Sequence, residues 1–229
     1  MYAVSACWFF FGTASVWAQQ TLLLQGMESK ETYTVINEKL ADVGDAFEVS
    51  DCSHSNFGPH ITQVFDETLM KHVFRFHIHR DQDTDRCKNF DRQRTEIKVY
   101  DKSPDWLKAI EQSKFVYKWK FRLDQKFQPS PRFTHLFQMK AVGGSNSSHP
   151  MITFSARKGR RERPDKFELR YGTQNKREKI VEAQLLPFLT SGFGFRFRTP
   201  PPYSKFAGPG ISLIFSNPFF SCTQIWVIK

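Results

Sequence analysis

The segment with the most chemical content is residues 91–98, which read DRQRTEIK. On a strand, Arg94, Glu96 and Lys98 would share one face, because alternate side chains point to the same side. A guanidinium in such a row can grip the carboxylate of a ligand with two parallel hydrogen bonds. A salt-bridged surface without any ligand has the same pattern. The segment therefore predicts an acidic ligand at Arg94, with Glu96 and Lys98 beside it, and leaves the purely structural interpretation open.

Residues 94–98 (RTEIK) resemble the Arg-Ser/Thr-Glu-Leu-Arg strand of the alginate-lyase jelly-roll families. Residues 133–140 (FTHLFQMK) resemble their next hallmark strand, which carries Gln-Ile/Val-His. Residues 72–94 and 115–171 also resemble uncharacterised fungal secreted proteins grouped with glucuronan and alginate lyases, and the whole resemblance covers roughly residues 28–188. The resemblance implies a concanavalin A-like β-jelly roll that binds a glucuronan- or alginate-type polysaccharide and cleaves it by β-elimination at a uronate.

The resemblance also assigns roles in that reaction. Arg94 would neutralise the uronate carboxylate and Gln138 would donate its amide to the same group, which stabilises the enolate-like state left by proton removal. Glu96 would orient Arg94. Lys140 stands where the families carry a histidine, and a lysine is ordinarily a poor base. The families' C-terminal Tyr-x-Lys-x-Gly-x-Tyr strand has no counterpart in residues 190–229, so the base is unidentified.

Residues 73–79 alternate between apolar and polar side chains, which is typical of a strand buried on one side. Arg75, His77 and His79 fall on its polar face. We predict that His77 joins Gln138 and Lys140 in catalysis and that Arg75 and His79 help to bind substrate. His77 and His79 also begin a cupin-like metal signature, but its Glu and Gly do not follow. We therefore predict no metal ligands.

Residues 81–85 (DQDTD) resemble the opening of a calcium-binding loop. An EF-hand is excluded, because Arg86 and Arg92 occupy the positions of its required Gly and Glu. A looser structural calcium site remains open beside the simpler interpretation as a polar hairpin. No other cofactor is predicted, and no phosphate-binding loop or nucleophile-elbow motif is present.

The elements that must position these residues are mainly strands. Residues 115–123 alternate strictly, and further strands are predicted at 94–100, 133–142, 151–157 and 167–171. One short helix is predicted at 103–111, because Ser103 suits its N-cap and Pro104 its first position. This pattern predicts an all-β fold, a β-sandwich with one short helix.

The first eighteen residues carry an uncharged apolar run followed by small residues, which predicts a signal peptide and a secreted protein. Secretion favours a disulfide between Cys52 and Cys87 and leaves Cys222 unpaired. Asn146 begins a glycosylation sequon in a Gly/Ser-rich loop. A short membrane anchor is the alternative for the leader, and no membrane association is expected once a signal peptide is removed.

The net charge is +10, and residues 157–163 read RKGRRER. Such a run is either a solvated loop or a surface that attracts a polyanion. For a secreted protein we expect an acidic glycan rather than nucleic acid as partner, and we expect a monomer.

The last forty residues differ from the rest, because residues 190–229 contain seven Phe, five Pro and no acidic residue. We predict a domain at 19–189, incomplete as a jelly roll, followed by an atypical tail that does not close the sandwich. A gene-model error or truncating splice is the preferred explanation, and an apolar binding tail is the alternative.

Three functions remain open from sequence. The first is a polysaccharide lyase acting on an acidic polymer. The second is a non-catalytic glycan-binding jelly roll that has lost its base. The third is a metal-dependent cupin-type enzyme.

Overall fold

The architecture comes from a computed structural model, which describes residues 20–110, 114–124, 126–142, 147–172, 177–184, 191–198, 212–214 and 225–228. Within these ranges the chain forms mostly strands with a single α-helix. The predicted all-β class is thereby confirmed. The leader 1–18 and Asn146 lie outside the described residues, as do Cys7 and Cys222.

The helix α1 spans Thr32–Leu40 and a short 3-10 helix spans Asp105–Leu107. The strands are β1 (Phe47–Glu48), β2 (Ile61–Asp66), β3 (Lys71–Phe76), β4 (Glu96–Ile97), β5 (Lys114–Leu123), β6 (Thr134–Lys140), β7 (Pro150–Arg157), β8 (Lys166–Gly172), β9 (Arg177–Gln184), β10 (Ser191–Arg198), β11 (Ser212–Ile214) and β12 (Ile225–Ile228).

The described strands form three sheets. A six-stranded sheet has the order β11-β10-β5-β12-β3-β2, a four-stranded sheet has the order β6-β7-β8-β9, and β1 pairs with β4 alone. All described pairs are antiparallel except those of β12, which runs parallel to both β3 and β5. Three segments of residues 190–229, namely β10, β11 and β12, pair within the larger sheet.

The core lies where the two larger sheets face each other. The alternation predicted for 115–123 is confirmed, because Trp119, Phe121 and Leu123 are buried on one side of β5. The Phe121 ring lies 5.6 Å from that of Phe154 on β7 and 5.7 Å from that of Phe167 on β8. Aromatic contacts across the core thus hold β5 against the smaller sheet.

The predicted helix at 103–111 is wrong in extent, since only Asp105–Leu107 is helical among the residues described there. The Ser103 hydroxyl accepts a hydrogen bond from Tyr100 N at 3.1 Å instead of capping a helix. The sequence analysis did not predict the α-helix α1. Its burial of Val35 and Ile36 outweighs the weak helix propensity of β-branched residues.

The strand predicted at 73–79 ends at Phe76, and that predicted at 94–100 shrinks to Glu96–Ile97. In both places the chain leaves the sheet to form the loops that carry the charged and histidine side chains. Within the described residues, no helix has both the length and the apolar character required to cross a membrane.

Candidate functional site

The short pair β1–β4 positions the charged row found in the sequence. Glu48 lies directly opposite Glu96 in the antiparallel register, so the two side chains share a face. Arg94 and Lys98 flank Glu96 on the same side. Two carboxylates facing each other repel, and the pair persists because Arg94 Nη1 donates to both, at 2.8 Å to Glu48 Oε2 and 2.9 Å to Glu96 Oε1.

Glu48 is the centre of this cluster, although nothing in its sequence context suggested it. Its side chain is 8% exposed and accepts from Arg86 at 2.8 Å and from Lys98 at 2.7 Å, in addition to Arg94. Asp85 is also buried, and it pairs with Arg86 at 2.8 Å and with Arg94 at 3.3 Å. Three cations thus surround three carboxylates in a half-buried network.

The two residues predicted to bind a uronate carboxylate meet at one carboxylate of the protein itself. Arg94 donates to Glu96 Oε1, and Gln138 Nε2 on β6 approaches Glu96 Oε2 at 3.4 Å. The structure therefore brings Arg94, Glu96, Lys98 and Gln138 together. A ligand carboxylate would have to share these donors with Glu96 or replace it.

Burial and the neighbouring charges in this network shift the pKa values of Glu96 and Arg94. Burial raises the pKa of the Glu96 carboxyl above its usual range, and the charge of Glu48 adds to this, against the opposing effect of Arg94. Burial acts to lower the pKa of Arg94, but the carboxylates of Glu96, Glu48 and Asp85 raise it overall. Arg94 is therefore a permanent cation, and Glu96 is the carboxyl of this network that accepts a proton more readily than usual.

The remaining predicted residues lie elsewhere. Arg75 is half-buried near the end of β3, opposite Thr62. His77 is buried just beyond β3, and its Nε2 lies 3.0 Å from the Thr62 hydroxyl. Lys140 is exposed at the end of β6, past an irregularity in its pairing with β7. None of these three has a hydrogen bond or ion pair with the Glu48 network among the described contacts.

His79 belongs to a second cluster that sequence reasoning missed. Its ring nitrogen lies near Asp83, His60 and His54, and the potential ligand atoms of these four residues are all within 4.8 Å of one another. The signal was weak, because the four come from segments separated by 6, 19 and 4 positions. Only burial of the polar residues His60 and Asp83 in the fold reveals the cluster.

The three aspartates of the predicted calcium loop have different partners. Asp81 is exposed beside Arg80, Asp83 lies among the histidines, and Asp85 pairs with Arg86. The loop thus divides its carboxylates between two clusters.

The predicted disulfide between Cys52 and Cys87 is confirmed. It joins the segment that carries His54 to the loop that carries Asp83 and Asp85. Two hydrogen bonds strengthen the junction, since Ser50 Oγ donates to Thr84 O and Thr84 N donates to Ser53 Oγ.

The basic run between β7 and β8 lines a groove of about 470 Å³. Six cationic side chains contribute to its wall, namely Arg157, Lys158, Arg160, Arg163, Lys166 and Arg170. The hairpin closes tightly, because a Cβ on Gly159 would lie 1.8 Å from the Arg163 carbonyl oxygen. Only glycine fits at that position.

Among the side chains of this groove that the structure describes, Glu168 is the one carboxylate, and it is almost fully buried. It forms ion pairs with Arg157, with Lys166 at 3.0 Å and with Arg170 at 2.8 Å. Burial acts to raise the pKa of Glu168, but the hydrogen bond from Lys166 and the charges of Arg157 and Arg170 outweigh it and lower the pKa. The groove keeps a large excess of positive charge.

We compared the chain with protein-family models, with curated proteins and with solved structures, and none of them matches it significantly.

Proposed function

We propose that this protein is a secreted protein that binds an acidic polysaccharide of the uronate type. The groove between β7 and β8 carries the proposal, because its described lining has six cationic side chains and one buried carboxylate. Summed charge of one sign in a concave surface concentrates a polyanion and accelerates its association. Since Arg160 and Arg163 are exposed at the hairpin tip, they can reach the charges of a long polymer.

The Cys52–Cys87 disulfide favours a glycan over nucleic acid as the polyanion. Structural disulfides persist in oxidising compartments, where the abundant polyanions are acidic polysaccharides. A concanavalin A-like jelly roll with a concave glycan-binding face is the finer fold that we propose for this function.

Retention on immobilised alginate, glucuronan and heparin-like columns tests the proposal. We expect the double variant Arg160→Ser/Arg163→Ser to elute at markedly lower salt than the wild type, because it removes two charges from the groove. The matched control is Lys39→Ser/Lys102→Ser, which removes two exposed charges elsewhere.

The two variants have the same net charge, so a loss common to both would indicate non-specific attraction and would refute the groove as the binding site. Equal retention of the wild type and both variants would do the same. A preference for a nucleic acid column over all the polysaccharides would refute the choice of polymer.

Cleavage of the bound polymer by β-elimination is a second candidate function. It is favoured by the convergence of Arg94 and Gln138 on one carboxylate, Glu96. A uronate carboxylate that shared these donors with Glu96 would receive two hydrogen bonds that stabilise the enolate-like state of β-elimination. The Glu96 carboxyl would then orient Arg94.

The absorbance of newly formed unsaturated uronate ends tests this second function. We expect Arg94→Ala and Gln138→Ala to abolish any turnover, while Arg160→Ser/Arg163→Ser raises the polymer concentration needed for half-maximal rate. Absence of turnover in a folded wild-type protein that still binds the polymer would refute the lyase and leave the binding function standing.

A further inference from the structure

Three histidines and an aspartate form a compact cluster beneath the loop that follows β1. The side chains of His60 and Asp83 are fully buried, whereas those of His54 and His79 are 19% and 31% exposed. Each offers one ligand atom, and these atoms lie within 4.8 Å of one another. Imidazole nitrogens and carboxylate oxygens are common ligands of transition metals.

The distances around Asp83 match the edges of a metal coordination sphere. Asp83 Oδ1 lies 3.0 Å from His60 Nε2, 3.4 Å from His54 Nδ1 and 3.3 Å from His79 Nδ1. In a tetrahedral zinc site with bonds of about 2.0–2.1 Å, neighbouring ligand atoms are separated by roughly 3.3 Å. Other pairs of potential ligand atoms are up to 4.8 Å apart, and rotation of the partly exposed His54 and His79 side chains can bring them closer while the backbone of the two loops stays in place.

The hydrogen bonds behind His60 orient it as a ligand. His60 Nδ1 lies 2.8 Å from Asp51 Oδ1, and the Tyr33 hydroxyl donates to Asp51 Oδ2 at 2.6 Å. A carboxylate behind the ring is the usual partner of a metal-binding histidine. When Nδ1–H donates to Asp51, the Nε2 lone pair of neutral His60 faces a carboxylate oxygen of Asp83. A cation between these two acceptors, either a proton or a metal ion, would bind both of them.

His54 provides independent support. Its Nδ1 is buried and lacks a hydrogen-bond partner among the described residues, although it lies 3.4 Å from Asp83 Oδ1. A buried polar atom without a partner is costly, and a metal ion in the centre of the cluster would use this lone pair.

The surroundings make the cluster rigid and limit the access of water. The disulfide Cys52–Cys87 ties the His54 segment to the Asp83 loop, and His79 N donates to Asp83 Oδ2. The Phe57 ring covers the cluster, with its centroid 4.3 Å from that of His79 and 5.3 Å from that of His54. Ligands fixed in advance bind a metal without a large ordering cost.

We propose that His54, His60, His79 and Asp83 bind one divalent transition-metal ion, and that zinc suits the site best. Three neutral imidazoles and one carboxylate supply four ligands, the number that zinc takes in tetrahedral sites. Because the protein fills all four positions and Phe57 covers them, the ion stabilises the two joined loops rather than activating water. The site is separate from the Glu48 network and from the basic groove, so it does not depend on either proposed function.

Zinc content and affinity of the full-length protein test the proposal. After chelator treatment and buffer exchange, we expect calorimetric titration with Zn²⁺ to give one equivalent bound and an increase in the melting temperature. We expect His54→Ala and His79→Ala to lose stoichiometric binding, while His149→Ala, which removes an exposed histidine outside the cluster, keeps it. Since Asp51 only positions His60, Asp51→Asn should weaken zinc binding by roughly 10- to 100-fold without abolishing it.

Substitution with Co²⁺ adds a readout of geometry, because a tetrahedral site gives intense visible absorption that a surface ion does not. Folding of each variant is verified by the fluorescence of buried Trp119. Zinc binding by folded His54→Ala and His79→Ala equal to that of the wild type, or a wild-type protein without stoichiometric binding, would overturn the proposal. The cluster would then be a hydrogen-bonded network around Asp83 without a metal ion.

Discussion

Removal of the Cys52–Cys87 bridge, by the double variant Cys52→Ser/Cys87→Ser, should reduce the stability of the protein substantially. The bridge closes a loop of 35 residues. The chain-entropy relation for a loop of that length gives a stabilisation of about 4 kcal/mol. Domains of ordinary stability have a free energy of unfolding of about 5–15 kcal/mol, so this bridge would account for a large part of the total.

Urea unfolding followed by tryptophan fluorescence measures this change, because Trp119 is buried in the core. With a urea dependence of about 2 kcal/mol per molar, the midpoint should fall by about 2 M. Cys222→Ser is the control, since it removes a thiol without opening the bridge. The reduced wild-type protein should behave as the double variant does.

An unchanged midpoint in the double variant would refute this reasoning, because it would mean that the loop is ordered equally well without the bridge. If the urea midpoint of Cys222→Ser fell by the same amount, the reasoning would also be refuted, because the loss of stability would then come from replacing a cysteine rather than from opening the bridge.

Three further predictions concern stability. Phe121→Ala should lower the free energy of unfolding, measured in urea, by about 3–5 kcal/mol, because it leaves a cavity at a fully buried site between the sheets. Phe90→Ala, at an exposed position, should change the free energy of unfolding by less than about 0.5 kcal/mol. Glu168→Gln should lower the free energy of unfolding at pH 7 by about 1–3 kcal/mol, since its three cations are partly exposed. Because the fold lowers the pKa of Glu168, the difference from the wild type should begin to narrow below the ordinary glutamate pKa of about 4.3 and disappear only below the lowered pKa; a constant difference would contradict this. Glu96→Gln should be at least as stable as the wild type at pH 7, because the raised pKa of Glu96 shows that the fold disfavours its charged form. This advantage of the variant should disappear toward pH 4, where Glu96 of the wild type becomes protonated, and a large destabilisation of the variant at pH 7 would contradict this.

Strict alternation allowed the central strands to be predicted from sequence. Phe121 and its alternate neighbours had to share a buried face, since a shift of one residue would expose all of them. The disulfide could be predicted because the expected secretion and the small number of cysteines left few pairings. The strands predicted at 133–142, 151–157 and 167–171 correspond to β6, β7 and β8.

Helix α1 could not be predicted because its local signals are those of a strand. Its N-cap is Glu31, whose carboxylate accepts from Thr34 N at 2.8 Å, and glutamate is not a residue that usually marks a helix start. The helix forms because Val35, Ile36 and Leu40 reach the core together. That burial depends on the rest of the fold and cannot be predicted from the local sequence pattern.

The site was predicted in part. Arg94, Glu96 and Lys98 were placed on one face by their spacing, and Gln138 by resemblance. Glu48 and Asp85, which neutralise the cations, come from distant segments with no recognisable motif. The histidine cluster was missed for the same reason, because its four side chains come together only when the disulfide and the turn after β3 bring their loops together.

We expect the hairpin between β7 and β8 to be cut by trypsin-like proteases. Arg160 and Arg161 are exposed there, and exposed loop tips are preferred sites of nicking, whereas Pro164 protects the bond after Arg163. The six residue pairs of the β7–β8 ladder would keep the two fragments associated after cleavage. A preparation nicked there would migrate as two bands on a denaturing gel while eluting as one species from a sizing column, and the groove would gain a new chain terminus on each side.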